Sequence, residues 1–514
     1  MGKIRVRFAP SPTGFLHIGS LRTVLFNYFI AKKYGGTLIL RIEDTDRKRE
    51  VAGAAEGLVK ILDWAGLHFD EGPTQGGEFG PYTQSERLEI YKKYSQELLA
   101  QGHAYRCFCT PERLEKMRAE QAEQKLPPRY DRTCRDLSEA EIEKKLAAGA
   151  SFVLRQKLPL GGEVKVTDEI RGEISFDAKN LDDHVLIKQD GWPTYQFASV
   201  VDDQLMEISH VVRGDEWLSS FPKNILLYQA FGWTPPKFIH TPLIMNKEGG
   251  KLSKRQGDVA VEDFRAKGYL PEALINFCAL LGWHPKGDIE TMTLAEIISA
   301  FEIKDIGISP AIFDLDKLDY FNGYWIRQKN IHDLTKMCLP CLVKSGLIGE
   351  MQNVKIKNQS LSSTTIGDDN VKFKIIESER EIEFDYIKGV VALAQERMKK
   401  LSEVAELSEF FFSELAYAAE MLVWKKSTKE ATKENLQQII GLFEKVPADE
   451  WTKHTTKEVV MNYLERKELK KGDYLWPLRV ALTGREASPG PFEVAEVLGR
   501  EESLKRIRAA IEKI

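Results

Sequence analysis

The chain has 514 residues, 43% hydrophobic and 29% charged, an ordinary composition for a soluble globular protein but too long for one core, so several domains are expected. The net charge of −4 excludes a global electrostatic pull on nucleic acid, so any such partner would be held by local basic patches. No apolar signal-peptide core follows Met1-Gly2-Lys3-Ile4-Arg5-Val6-Arg7-Phe8, no run is long enough to span a membrane, and the six cysteines are few and irregularly spaced, features that point to the cytoplasm.

Residues 3–9 alternate, with Ile4, Val6 and Phe8 on one side and Arg5 and Arg7 on the other, which predicts a strand. Pro10 and Pro12 stop it, and from Gly19 onward Leu21, Val24, Leu25, Tyr28 and Phe29 fall at helical spacing. Gly35-Gly36 ends that helix, and residues 37–42 read as a second, buried strand closing on Glu43-Asp44-Thr45-Asp46. Strand, turn, helix, strand is a βαβ unit, so a parallel α/β sheet is expected at the N-terminus. Residues from about 90 to 195 differ in character and read as an insertion within the α/β domain. Val185-Leu186-Ile187 and Phe197-Ala198-Ser199-Val200-Val201 look like strands returning to a sheet. After about residue 330 the periodicity is mostly helical, as at Leu401, Val404, Leu407 and Phe410-Phe411, and residues 350–375 read as an exposed polar excursion.

Two elements carry chemistry. His17-Ile18-Gly19-Ser20 lies at the first strand-to-helix turn, where helix N-termini direct unpaired N–H groups at anions. There His17 can donate to a phosphate oxygen, and Gly19, lacking a side chain, leaves room for a flat adenine. Lys251-Leu252-Ser253-Lys254-Arg255 places three cations in five positions between glycines, an arrangement suited to charge developing on a triphosphate. Alone, each element reads better as a surface loop.

Together they resemble the paired signatures of class I aminoacyl-tRNA synthetases. The wording is closer to glutamyl-tRNA synthetases in Arg7-Phe8-Ala9-Pro10-Ser11-Pro12-Thr13-Gly14, Arg41-Ile42-Glu43-Asp44-Thr45-Asp46, Tyr82-Thr83-Gln84-Ser85-Glu86-Arg87, Asp190-Gly191-Trp192-Pro193-Thr194-Tyr195, Val201-Asp202-Asp203 and Arg213-Gly214-Asp215-Glu216-Trp217. The resemblance continues in order to Tyr474-Leu475-Trp476-Pro477-Leu478-Arg479. It implies an α/β, Rossmann-type catalytic domain with an inserted acceptor-end-binding domain, followed by an all-α anticodon-binding half. The expected division is 1–90 and 196–246 for the catalytic halves, 91–195 for the insertion, 247–330 for the KLSKR loop and stem contacts, and 331–514 for the helical anticodon-binding region.

The implied reaction is formation of glutamyl-adenylate from L-glutamate and MgATP, then acyl transfer to the terminal adenosine of tRNA(Glu), with tRNA(Gln) left open as a second acceptor. No covalent enzyme intermediate is needed, so catalysis is positioning and charge stabilisation. By the same resemblance His17, Gly19, Lys251 and Lys254 contact ATP, and His17, Lys251 and Lys254 carry the catalysis. Arg7, Arg213 and Tyr195 meet the glutamate side chain, Glu43 meets its ammonium group, and Ala9 and Ser11 assist. A guanidinium gripping a carboxylate is a sound way to tell glutamate from glutamine. Ser199 stands where some relatives carry Asn, which leaves its role open.

Cys107-Phe108-Cys109 and Cys134 suggest a structural Zn2+. By the resemblance, the fourth ligand falls at Asp136, with Tyr130, four residues before Cys134, as its rival. Cys338-Leu339-Pro340-Cys341 has no second pair and reads as packing. Basic clusters at Arg397 with Lys399-Lys400, Lys425-Lys426, Arg466-Lys467 and Lys470-Lys471 are candidate tRNA contacts, although such runs are commonly solvated helix faces. A monomer with no membrane partner is expected. Rival readings are a tRNA-modifying glutamyl transferase without the C-terminal half, a glutaminyl-tRNA synthetase with a β-rich one, a small-molecule nucleotidyltransferase, and a non-catalytic RNA-binding paralogue.

Overall fold

The computed structural model describes residues 3–46, 51, 53–250, 252, 259–350 and 372–514. They fall into two compact units, one running to Phe264 with Pro271–Leu315, the other comprising Arg265–Leu270 and the chain from Asp316 onward.

The first unit begins as the sequence predicts. Strand β1 (Arg5–Phe8), helix α1 (Ile18–Lys33) and strand β2 (Thr37–Leu40) form a βαβ unit with β1 and β2 paired parallel. His17 caps α1, its Nδ1 accepting the Gly19 N–H at 2.9 Å, which places the ring proton on Nε2. The helix is buried on nearly every side, through Leu21, Val24, Leu25, Phe26, Phe29 and Ile30. The alternation in β1 does not produce a solvent face. Arg5 and Arg7 are only 5% and 4% exposed, because Arg5 pairs with Glu71 at 2.8 Å and Arg7 with Asp203 at 3.0 Å.

Helices α2 (Ala54–Trp64) and α3 (Leu88–Ala100) follow. Strands β3 (Ala104–Cys107) and β4 (Val153–Gln156) flank helices α4 (Pro111–Glu123) and α5 (Glu139–Ala147). The hairpin β5 (Glu163–Asp168) with β6 (Gly172–Asp177) comes next, then β7 (Val185–Ile187). Strands β3, β4 and β7 make a small antiparallel sheet. The hairpin instead joins β8 (His210–Gly214) and β9 (Lys237–Thr241) in a sheet of order β6-β5-β9-β8, with β8 and β9 parallel. Residues 197–201 are not a strand. They lie in helix α6 (Tyr195–Leu205), whose residues Phe197–Asp203 are all buried. A short apolar run such as residues 197–201 inside a largely buried helix cannot be told from a core strand by periodicity. Helix α7 (Phe221–Ala230) connects β8 to β9, and β10 (Ile244–Asn246) pairs parallel with β11 (Ala311–Phe313).

The second unit is mostly helical, with long helices at Ile331–Lys344, Lys429–Phe443, Lys453–Arg466, Lys471–Thr483 and Arg500–Lys513. It also holds a small antiparallel sheet of Ile348–Glu350, Lys372–Ile375 and Glu381–Glu383, so the end of the expected polar excursion is a strand in which Phe373 and Ile375 are buried. The rest of that excursion, residues 351–371, lies outside the described residues. Cys338 is buried and Cys341 half-buried in helix Ile331–Lys344, and neither forms a disulfide. Among the described residues no helix is long and apolar enough to cross a membrane.

Candidate active site

A cavity of about 980 Å³ opens at the carboxyl ends of β1 and β8. Arg7, Ala9, Ser11, His17, Glu43, Tyr195 and Arg213 all line it. These residues come from β1, the turn into α1, the segment after β2, the start of α6, and β8. Crevices at such strand ends are the usual ligand sites of open α/β sheets.

The charged groups are held in a buried network. Arg41, fully buried, donates to Asp203 at 2.7 Å and to Glu43 at 2.9 Å and lies 3.8 Å from Asp202. Arg7 gives Nε and Nη2 to the same Asp203, at 3.0 and 3.3 Å. Asp202 accepts from Arg87, Gln84 and Tyr91 at 2.7–2.8 Å. Mutual pairing keeps the Asp203 carboxyl below its ordinary range despite burial, with Arg7 and Arg41 as the cause.

Two atoms stand apart. Glu43 Oε1 accepts from Arg41 and Gln84, but Glu43 Oε2 has no hydrogen-bond partner among the described residues. Burial pushes the Glu43 carboxyl up to about 7, against the pull of Arg41 and Arg7. Arg213 gives Nε to His240 Nε2 at 2.9 Å, while its Nη2 is buried without a partner among the described residues. Buried polar groups are rarely left unpaired, so each orphan marks a place for something else. Desolvation raises the Tyr195 hydroxyl, which keeps it a donor, and the Tyr195 ring lies 4.4 Å from that of Trp217. Ser199 does not line the cavity, and its hydroxyl returns to the Gln196 carbonyl at 3.3 Å.

A second cavity, about 270 Å³, adjoins at His17 and Gly19, with Ser20, Ile244 and Leu252 in its wall. A Cβ on Gly19 would stand 3.3 Å from His17 Nδ1, so glycine keeps this wall open. Leu252 N–H donates to the Ile244 carbonyl at 3.1 Å, and Ile18 N–H to the Val259 carbonyl at 2.9 Å. Leu252 is thus tied to Ile244, and Val259 to the residue that follows His17. Lys251 and Lys254 themselves lie outside the described residues.

The structure brings together three of the five predicted metal-binding candidates with a fourth. The Sγ atoms of Cys107, Cys109 and Cys134 lie within 4.8 Å of one another. Tyr130 Oη stands 3.2 Å from Cys107 Sγ and 3.5 Å from Cys109 Sγ, in a small core under Arg155. Asp136 is placed elsewhere, its carboxylate 83% exposed and 3.8 Å from Lys157. Asp202, Asp203, Asp168 and His240 were missed as site residues. Asp202 and Asp203 stand in the Val201-Asp202-Asp203 motif without an assigned role, and His240 is an imidazole beside the apolar Phe238-Ile239, where such a group persists only when paired; Asp168, in a mixed polar strand, carries no such signal.

Residues 3–320 match the profile of class I tRNA synthetases (E and Q), catalytic domain, and residues 364–511 match an anticodon binding domain. The chain is similar to the glutamate–tRNA ligase of Clostridium botulinum, at 44% identity over 100% of this chain and 99% of the relative. It is 41% identical to that of Treponema denticola, with 99% of both chains covered. Among solved structures, a glutamate tRNA ligase from Elizabethkingia meningosepticum in complex with its amino acid superposes with a TM-score of 0.85 at 34% identity, covering 99% of each chain. A glutamate–tRNA synthetase from Elizabethkingia anophelis gives 0.84 at 33% identity, covering 99% of this chain and 100% of that one.

Proposed function

The chain belongs to the glutamate–tRNA ligase family of class I aminoacyl-tRNA synthetases, and we propose that its larger cavity binds L-glutamate and the adjoining His17 cavity binds ATP. The reaction is the two-step ligation of L-glutamate to tRNA(Glu), through ATP-dependent glutamyl-adenylate and acyl transfer to the terminal adenosine.

One observation carries the site assignment: two residues that line a single cavity, Glu43 and Arg213, each hold a buried polar atom, Oε2 and Nη2, of opposite character and without a partner among the described residues. An amino acid with an acidic side chain supplies the missing partner to each. Its ammonium group meets Glu43, and its side-chain carboxylate meets Arg213, with Tyr195 donating and Arg7, held on Asp203, behind it. Ala9 and Ser11 border the backbone of the substrate. This leaves the α-carboxylate to attack the α-phosphate of ATP, so no enzyme nucleophile is needed. His17, with its proton on Nε2, donates to phosphate oxygens. Lys251 and Lys254 stabilise the charge that develops as pyrophosphate leaves. Magnesium, bound with ATP, neutralises part of the triphosphate charge.

The insertion and the helical unit are proposed to hold the acceptor end and the anticodon of tRNA, in a monomeric cytoplasmic enzyme divided as the sequence predicts. Charging assays with purified tRNA(Glu) and tRNA(Gln) decide whether acceptance extends to the second. We further propose that Cys107, Cys109, Cys134 and Tyr130 hold one structural Zn2+, three thiolates and a phenolic oxygen filling its four positions. The geometry favours Tyr130 over Asp136, whose carboxylate faces Lys157. The decisive assay for the reaction is ATP–pyrophosphate exchange with glutamate, run with and without tRNA. Glutamate-specific exchange that needs tRNA is expected, and exchange with glutamine, or none, overturns the reading.

A further inference from the structure

Arg213 differs from the other buried arginines of the site in what holds it. Arg7 and Arg41 are paired directly with carboxylates. Arg213 Nε instead donates to an imidazole, His240 Nε2, at 2.9 Å. His240 is fully buried, and its Nδ1 lies 2.7 Å from Asp168 Oδ2. Asp168 is 1% exposed and is ringed by donors: Oδ2 also accepts the His240 backbone N–H at 3.0 Å, and Oδ1 accepts the Ile170 and Arg171 N–H groups at 3.0 Å each.

The direction of every hydrogen bond in this chain follows from chemistry. An ionised carboxylate can only accept and a guanidinium can only donate. The imidazole between them must therefore carry its proton on Nδ1 and its lone pair on Nε2. Burial and the neighbouring Arg213 charge hold His240 below its usual pKa, so the ring stays neutral and keeps that lone pair. The rings of Phe238 and Phe221 lie 5.0 and 5.7 Å from the Arg213 guanidinium and exclude water from its sides.

We propose that Asp168 and His240 are positioning residues for glutamate: Asp168 fixes the His240 tautomer, and His240 clamps Arg213 at Nε so that Nη2 is presented to the substrate carboxylate. The inference rests on the reading of Arg213 as the carboxylate grip. It also explains why a neutral ring, rather than an acid, touches Arg213. The balancing carboxylate stands one imidazole further off, so the guanidinium keeps its charge for the ligand. Asp168 reaches this place because β5 of the inserted hairpin pairs with β9, at Asp168 and Phe238.

The test uses the full-length enzyme with tRNA present, reading KM for glutamate, KM for ATP and kcat in pyrophosphate exchange. An Asp168→Asn amide has one acceptor oxygen. Oδ1 receives two backbone N–H groups and Oδ2 only one, so the NH2 group takes the Oδ2 position, giving up the His240 backbone bond, and faces His240 Nδ1. The ring then shifts its proton to Nε2, donor against donor with Arg213. Glutamate KM is expected to rise about 30-fold, the scale of one hydrogen bond to a charged group, with ATP KM and kcat within about threefold. His240→Leu behaves likewise. His240→Gln, whose Oε1 replaces the Nε2 acceptor, recovers glutamate KM to within about fivefold of wild type. Nitrogen-15 imidazole spectra are expected to show the Nδ1–H tautomer for His240 in wild type and the Nε2–H tautomer in Asp168→Asn. Glutamate KM within about threefold of wild type in Asp168→Asn, or equal losses in His240→Gln and His240→Leu, overturns the proposal. Arg213→Ala separates the two readings. If it leaves glutamate KM unchanged, the grip itself is wrong; if it raises KM while His240→Leu does not, only the relay is wrong.

Discussion

Glu43→Gln isolates the ammonium contact. In the structure Glu43 is 3% exposed, with Oε1 committed to Arg41 and Gln84 and Oε2 unpaired among the described residues. A glutamine keeps an acceptor oxygen for Arg41, which also retains Asp203, so the fold is preserved. What changes is the ligand side, where an NH2 group now faces the substrate ammonium. A hydrogen bond between charged groups contributes about 1.5–3 kcal/mol, and truncating one partner of a desolvated charged pair costs about 2–5 kcal/mol. A loss of about 2–4 kcal/mol corresponds to a glutamate KM raised roughly 30- to 1000-fold. The pH dependence gives a second, independent reading. Only the ionised carboxylate pairs with ammonium, and the free Glu43 carboxyl titrates at about 7. Its folded value is raised, so binding favours the deprotonated form, releases a proton below pH 7 and strengthens as pH rises through that value. Wild-type glutamate KM should therefore rise about tenfold from pH 8 to pH 6, a window far above the substrate side-chain pKa of about 4.3. The slope should vanish in Glu43→Gln. Steady-state pyrophosphate exchange at saturating ATP and tRNA reads both effects. A variant KM within about threefold of wild type, or an unchanged slope, refutes the contact.

Lys254→Ala should leave the melting temperature unchanged and slow adenylate formation about 100- to 1000-fold, the scale of one preorganised electrostatic donor; near-normal kcat would remove Lys254 from the mechanism. Purified enzyme should hold one equivalent of zinc by elemental analysis, and in chelator competition Tyr130→Phe should lose affinity by more than about tenfold while Asp136→Asn does not change. The reverse order would restore Asp136 as the ligand. Asp203→Ala leaves two buried guanidinium groups short of their shared acceptor, so urea denaturation should show a loss of about 3–5 kcal/mol; a change below about 1 kcal/mol would mean that Arg7 and Arg41 find other partners.

The N-terminal βαβ unit was legible because its signals are local: alternation, a proline stop, a helical stripe and a glycine pair. The residues proposed to bind glutamate were singled out only through motif resemblance. The strand pattern alone would set Arg7 on a solvent face, whereas its partner Asp203 lies 196 positions away in sequence. The same distance hides Asp168 from His240, 72 positions apart. Residues 197–201 of helix α6 read as a strand because they form a short, almost wholly apolar run, and the carboxylates that follow, Asp202 and Asp203, are buried against arginines instead of marking a solvent face. In the helical unit, strand Lys372–Ile375 escaped notice because its two buried positions, Phe373 and Ile375, are flanked by lysines and a polar run.

The two cavity-lining arginines, Arg7 and Arg213, are therefore not equivalent, although the motifs present them alike. Asp203 takes Nε and Nη2 of Arg7, and the Val212 carbonyl lies 3.5 Å from Nη1, so the Arg7 charge is matched before any ligand arrives. Arg213 meets a lone pair instead of a charge, and keeps an unspent donor. A glutamine side chain could accept that donor with its amide oxygen, so hydrogen-bond count alone does not separate the two substrates. Charge does: a bond from guanidinium to carboxylate is about twice as strong as one to a neutral acceptor, and more so where the guanidinium is flanked by the apolar rings of Phe221 and Phe238. Discrimination against glutamine should then fall with Arg213→Ala much more than with Arg7→Ala, when both are compared by kcat/KM for the two amino acids. An equal fall would mean that Asp203 does not neutralise Arg7 toward the ligand.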